Sequence, residues 1–590
     1  MHRRDVRRVM VLVLVLAAST AACGERGPER TAEAAGEVDP SWSPQQLTEV
    51  RGVPAAQIRQ AVAARLEGKP LAPLTDEEWT HARRLYKAYG NGPLWLAPDG
   101  LHEKRAAALT GAILDGHKDA LRMNAYPVGE LARALAALDE NDRPTAQQLA
   151  EADLLLSATY VAIAEDLMTG QVDPKTVSQS WFIDPQEERV DSALVRALRE
   201  TKLDSAIARM RPQEEDYAAL QKELLRLREL VSKGGWPKVP AGRPLKPGES
   251  DSPARLQALR VRLAAEGLLA SGPQLPASDS TRSAGSPKPE AVSRAPRAVY
   301  DRTLAGAVAT FQSRHGIPVD SLLGEETVRS LNVPATYRLG QVAANLERYR
   351  WLPRSLGSRY LLVNVPAFRV EGYDDGRKAI EMKVIVGQEY EDRATPVFSD
   401  SMEVVVFRPY WFVTPDIQAK EMEPKIAADP GYMARGNYEY YQEGGQTRIR
   451  QRPGDENSLG LVKFLFPNDY NIYLHDTPDD KLFEKDVRAF SHGCIRLEKP
   501  EEMAQWVLGW DAQKVQDAMH SSQDNRTVKL PRKLPVYIAY FTAYLRDGQL
   551  HFGNDLYDRD GKLVAIVNEG AYPTTQAVQA VEALQRIAER

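Results

Sequence analysis

A chain of 590 residues is too long for a single hydrophobic core, so roughly two to four folded units are expected. Its 43% hydrophobic and 27% charged residues are the make-up of a soluble globular protein and exclude a fibrous or wholly disordered one. A net charge of −5 lacks the strongly basic footprint of a nucleic-acid binder, so partners must be argued from sites.

The chain opens with Arg3, Arg4, Arg7 and Arg8, then an apolar run Val9–Leu16 and a small-residue stretch Ala17–Ala22 ending at Cys23. That order is the signature of a secretory signal, and the run is shorter than the ~20 residues of a bilayer-spanning helix. A cysteine directly after small residues resembles a lipoprotein processing site. This predicts export to the periplasm with a lipid on Cys23, although Thr20 stands where leucine is usual. Gly24, in place of a retaining aspartate, favours the outer membrane. The chain has two cysteines. If Cys23 carries lipid, Cys494 has no disulfide partner, and a lone thiol in an exported protein is a candidate reactive group.

Residues 24–72 read as a tether with one helix near Pro54–Leu66, which suits a body held away from a membrane. The stretch 73–238 reads as a helical scaffold. Thr75-Asp76-Glu77-Glu78 is a capping box, and helices are predicted over Glu103–Asp115, Val128–Leu138, Ala146–Met168 and Asp191–Val231. No titratable cluster in it suggests chemistry. A second unit, 239–335, places Leu256, Leu259 and Leu263 on one helical face and Leu304, Val308 and Phe311 on another. A Ser/Pro/Ala-rich insertion interrupts it near 271–297.

From Tyr360 the period becomes strand-like. Strands are predicted at Tyr360–Val365, Ala367–Tyr373, Ile380–Val386, Ser401–Phe407, Leu461–Phe466, Asn471–Leu474 and Pro535–Phe541, with a helix at Pro500–Leu508. The long mixed segment Pro415–Gln451 is expected to form an inserted subdomain or lid. The fold class is therefore multidomain: a helical scaffold, a three-helix module and a mainly β domain over 345–545. Residues 546–590 form a C-terminal extension to which the sequence assigns no role.

The chemistry concentrates in Ser491-His492-Gly493-Cys494-Ile495-Arg496 and in His475-Asp476 upstream. A thiol attacks as the thiolate, so it needs a base or a positive charge nearby. His475, at the end of a predicted strand, suits that base, and His492 is better placed to shape the loop. Gly493 allows the turn that aims main-chain amides at a developing oxyanion, and Arg496 offers a positive charge to a substrate carboxylate. Zinc ligation by His475, Asp476, His492 and Cys494 uses legitimate ligand types, but Gly493 between His492 and Cys494 suits an exposed turn better than tetrahedral closure.

This pattern resembles the signature of the L,D-transpeptidase family with a YkuD-type catalytic domain. Further similarity lies in Asn345–Pro353, Leu362–Phe368, Thr395–Ser399, Pro409-Tyr410-Trp411, Gly460–Phe464 and His475–Pro478, all as in the large multidomain periplasmic branch. There the string Ala307–Ile317 resembles a peptidoglycan-binding module. The resemblance implies Cys494 as nucleophile, His475 as general base and acid, and the Asp476 carbonyl as its orienter. Gly493 would serve the oxyanion loop, His492 would line the site, and Arg496 and Ser491 would contact substrate. Arg496 stands where many members have asparagine. The implied reaction acylates Cys494 with a tetrapeptide stem, releases D-alanine and transfers the acyl group to a neighbouring amine, without metal or cofactor. Peptidoglycan stem peptides and, through the N-terminal lipid, a membrane are the implied partners, with cell-wall synthases and carboxypeptidases as candidates and no nucleic acid. The alternatives are an L,D-carboxypeptidase or amidase using water, and a non-catalytic wall-binding lipoprotein.

Overall fold

The computed structural model describes residues 36–183, 190–269, 298–388 and 393–571, with isolated positions 579, 582 and 585. The segment read as an export signal, Cys23, the insertion expected near 271–297 and most of the chain after 571 lie outside the described residues.

The N-terminal unit contains helices α1 (Ala55–Leu66), α2 (Asp76–Ala88), α3 (Glu103–Asp115), α4 (Val128–Asp139), α5 (Ala146–Thr169), α6 (Val190–Ala197), α7 (Leu203–Ala208) and α8 (Glu215–Ser232). Helix α5 is its axis, buried over most of its length as its continuous apolar sequence requires. Asp153 on α5 accepts from the Tyr86 hydroxyl at 2.6 Å and from the Leu94 and Trp95 amides at 3.0 and 2.7 Å, which fastens the aromatic loop onto the axis.

Two expectations are corrected here. The tether reading fails over the described residues: Trp42 and Leu47 pack on the scaffold core, and the helix expected near Pro54–Leu66 is present and buries Ile58, Val62 and Leu66 in that core. The single helix read over Asp191–Val231 is three helices. Pro212 cannot continue a helix, and the Arg199–Thr201 turn instead pairs its main chain with Glu37 and Asp39.

The second unit holds α9 (Pro253–Ala264), α10 (Arg302–Arg314) and α11 (Glu325–Leu331) around a core of Leu256, Leu259, Leu263, Leu304, Val308 and Phe311. Helix α12 (Ala335–Arg350) follows and packs against α8. Its polar side chains are consumed in buried pairs: Arg350 with Glu347, and Arg348 with Asp560 at 2.6 Å.

The catalytic-domain region is a closed sheet. In chain order its strands are β1 (Trp181–Phe182), β2 (Arg359–Asn364), β3 (Arg369–Asp374), β4 (Arg377–Gly387) and β5 (Val397–Phe407). An insertion with β6 (Tyr438–Glu443) and β7 (Gln446–Gln451) intervenes. Then come β8 (Val462–Leu465), β9 (Leu474–His475), β10 (Ala489–Ser491), β11 (Ile495–Leu497) and β12 (Arg526–Ala539), followed by a separate hairpin, β13 (Ala543–Arg546) and β14 (Gln549–Phe552). The spatial order is β8-β9-β11-β4-β3-β2-β12-β5-β1. Because β8 also pairs with β5, the sheet closes on itself, with β10 beside β4. Closure removes the open edges that a long sheet would otherwise expose.

Helices α13 (Pro500–Leu508) and α14 (Ala512–Met519) follow the Ser491–Arg496 segment, and α15 (Gly561–Ala571) packs on α12. The strand expected at Asn471–Leu474 shrinks to Leu474–His475. Asn468 Oδ1 accepts the amides of Tyr470 and Ile472, and Asn471 takes a left-handed conformation, so that segment is a turn. Residues 415–451 fold as an insertion with a small core of Val413, Met422 and Ile449.

Candidate active site

The register of three neighbouring strands builds the site. His475 on β9 is the partner of Lys463 on antiparallel β8 and of Arg496 on parallel β11. Side chains alternate along a strand, so Lys463, His475 and Arg496 share one face of the sheet. Phe464, Leu474 and Ile495, one step along, are buried on the other. Cys494 immediately precedes β11 and, by the same alternation, stands on the face of His475, two residue pairs along and beside Tyr473.

His475 is buried, and its Nδ1 lies 2.5 Å from the Asp476 carbonyl oxygen. A carbonyl only accepts, so Nδ1 carries the proton and Nε2 keeps a free lone pair in the neutral ring. Burial, then the neighbouring Arg496 charge, holds the imidazole down to about 3. The Asp476 carboxylate turns away from the ring and accepts the Leu461 and Thr477 amides, each at 2.7 Å. Burial pushes its pKa up to about 6.

The Cys494 thiol donates to the Asn471 carbonyl at 3.5 Å. Among the described residues no hydrogen bond joins it to His475. Burial pushes the thiol up to about 11, opposed by the Tyr473 main chain and hydroxyl, Arg496 and Lys463. Gly493 has φ +112°, a conformation few side chains tolerate, and this lets the loop turn before Cys494. The Cys494 amide follows that turn and meets no acceptor among the described residues.

One expected substrate contact is corrected. Ser491 is buried, and its hydroxyl donates to the Cys494 carbonyl at 2.5 Å and accepts the Gly493 amide at 3.1 Å, so it braces the loop from within. Arg496 reaches Asp479 at 3.3 Å and is not a free cation. Lys463 has no carboxylate partner among the described residues. Its ammonium lies 5.9 Å from the Tyr473 ring centroid, and burial brings its pKa down to about 8. In sequence it was one residue of a similar string, with no sign of its place beside the thiol.

His492 contacts the insertion. Its Nε2 lies 2.6 Å from Glu421 of the insertion, and Glu421 also accepts from Arg393 at 2.9 Å. The loop histidine therefore joins the insertion to the catalytic loop. The four residues weighed as zinc ligands do not converge. Among the described residues no group of three or more His, Cys, Asp or Glu side chains is placed to hold a metal.

Residues 358–538 match the YkuD family, the L,D-transpeptidase catalytic domain, and residues 80–224 match the Scaffold domain family. This chain carries a YkuD-type L,D-transpeptidase catalytic domain. Its YkuD domain is the closed sheet, so Cys494 and His475 both fall inside the match. A Haemophilus influenzae protein bearing an L,D-transpeptidase name is 30% identical over 275 residues, covering 42% of this chain and 55% of its own length. The chain thus spans about half the length of that relative. The solved L,D-transpeptidase (residues 123–326) of Xylanimonas cellulosilytica aligns over 51% of this chain and 99% of its own, at 15% identity and a TM-score of 0.17. That superposition is too loose to carry an argument.

Proposed function

We propose that the protein is an L,D-transpeptidase that cross-links peptidoglycan through an acyl-enzyme on Cys494. The observation that carries this reading is the shared sheet face of Cys494 and His475, with the His475 Nδ1 proton committed to Asp476 and Nε2 open. Turning the thiol from Asn471 toward the ring lets Nε2 take its proton as Sγ attacks the carbonyl of the third stem residue. The oxyanion develops toward the free Cys494 amide. The C–N bond then breaks, His475 returns its proton to the departing D-alanine amine, and a thioester remains. An amine of a neighbouring stem attacks the thioester, gives a proton to His475 and restores the thiol.

Lys463, which has no carboxylate partner among the described residues, joins Arg496 as a cation available to a stem carboxylate. The three-helix unit is assigned to wall binding, and Cys23 to lipid attachment on an exported, periplasmic protein.

The test is intact-mass analysis after exposure to a carbapenem, whose strained acyl group suits the same thiolate. The expected result is one adduct on the wild type and none on Cys494→Ala. No wild-type adduct, or an undiminished adduct on Cys494→Ala, sinks the nucleophile assignment. With tetrapeptide stems as substrate, cross-linked dimers support transfer, whereas tripeptides alone mark water as the acceptor.

A further inference from the structure

We infer that the C-terminal segment 553–560, beyond the matched catalytic domain, belongs to the active-site frame, with Tyr557 as a positioning residue for the nucleophile loop. The inference rests on the reading of Cys494 as nucleophile. Its physical basis is a clamp of four chain segments.

The Tyr557 hydroxyl donates to the Gly387 carbonyl at 2.7 Å and accepts the Thr395 amide at 3.3 Å. The fully buried Thr395 hydroxyl donates to the Gly493 carbonyl at 2.8 Å and accepts the Gly387 amide at 2.9 Å. Arg559 closes the remaining side by donating to the Thr395 carbonyl at 3.2 Å. Gly387 ends β4 and is the register partner of Ser491, and a Cβ there would lie 3.0 Å from Gly493 Cα. The end of β4, Thr395 and the loop therefore meet with no spare volume, and Tyr557 ties two of them together.

The segment is anchored in turn. The Tyr557 amide donates to the Tyr540 hydroxyl at 2.8 Å, and that hydroxyl donates to Asp555 at 2.7 Å. Asp560 pairs with Arg348 of α12.

The consequence for chemistry follows from peptide planarity. The Gly493 carbonyl and the Cys494 N–H belong to one planar trans unit, so holding the oxygen sets the direction of the N–H. That N–H is the open amide beside the thiol. Tyr557 thus acts, through Thr395 and Gly387, on the donor that meets the developing oxyanion.

Tyr557→Phe in the full chain removes both hydroxyl bonds and keeps the ring. Three measurements separate positioning from general loss of structure: hydrogen–deuterium exchange over 491–497, acylation of Cys494 by a carbapenem, and its alkylation by iodoacetamide, which needs the thiolate but no oxyanion donor. The expected result is faster exchange in that loop and acylation slowed roughly tenfold or more, with alkylation changed less than about twofold. Thr395→Val should reproduce this and Thr395→Ser should stay near wild type. Unchanged loop exchange, unchanged acylation in a reactive protein, or parallel loss of acylation and alkylation would each overturn the inference. If the wild type forms no carbapenem adduct while Tyr557→Phe still loosens the loop, the proposed chemistry fails and the clamp stands.

Discussion

Arg496 on β11 is the register partner of His475 on β9, which sets a guanidinium beside the imidazole on the face that carries Cys494. With burial, that placement decides the charge state of the site before substrate arrives.

Burial and Arg496 hold His475 down to about 3, and burial pushes Cys494 up to about 11, so both partners are neutral across the working range. The proton then moves only as sulfur attacks. The second-order rate of carbapenem acylation, followed by intact mass, should be level from about pH 5 to about pH 8. An ascending limb centred near the ordinary histidine value of about 6.5 would contradict the neutral pair.

Arg496→Gln removes a charge that disfavours the imidazolium. The His475 pKa should rise, and the acid limb of the acylation profile should move to higher pH. Superimposable profiles for variant and wild type would show that burial alone depresses the histidine.

Lys463→Met should raise KM for tetrapeptide stems by roughly tenfold to a hundredfold, the equivalent of a charge-assisted hydrogen bond of about 1.5–3 kcal/mol, with a smaller effect on kcat. Lys463→Arg should recover part of it. In the wild type KM should climb above about pH 8, where the ammonium discharges. A KM unchanged in Lys463→Met would remove Lys463 from substrate binding.

Glu266 is buried between Arg262 at 2.6 Å and His315 at 3.0 Å. Arg338 donates to His315 Nδ1, so the neutral ring presents its Nε2 proton to Glu266, and burial brings the histidine down to about 4. Arg262 and the hydrogen bond from His315 hold the Glu266 carboxyl well below its usual range despite burial, which opposes them. Both folded-state values lie below the unfolded ones. Stability therefore falls through His315 as pH drops from about 6.5 toward 4, and the Glu266 contribution is lost only at lower pH, below the ordinary carboxylate range. Glu266→Gln leaves Arg262 buried without its counter-charge and should cost about 3–5 kcal/mol in denaturant titration. A loss under about 1 kcal/mol would mean that the site rearranges or admits water.

The parts of the site visible in sequence are those carried by short segments. Ser491–Arg496 and His475-Asp476 each declare their chemistry locally, and strand alternation already puts Cys494 and Arg496 on one face. Helices with a clean apolar stripe, such as α9 and α10, and the continuously apolar α5 were equally visible. Ser491 misled because its hydroxyl looks the same in sequence whether it faces substrate or turns back to its own loop. The first half of β12, Arg526–Arg532, went unread because its charged residues mask the period of a strand whose pairing is set by β5.

The chain's local order suffices to single out Cys494 and His475 as candidates for the attacking thiol and its base, and to give the helical and β character of each unit, since these follow from residue chemistry and short-range periodicity. Which other groups stand beside that thiol was settled by closure of the sheet. Lys463 reaches it through the register of β8 against β9, and Thr395 and Tyr557 reach its loop across the end of β4. Register and closure depend on pairing and packing summed over the whole barrel, and no short window of sequence contains that sum.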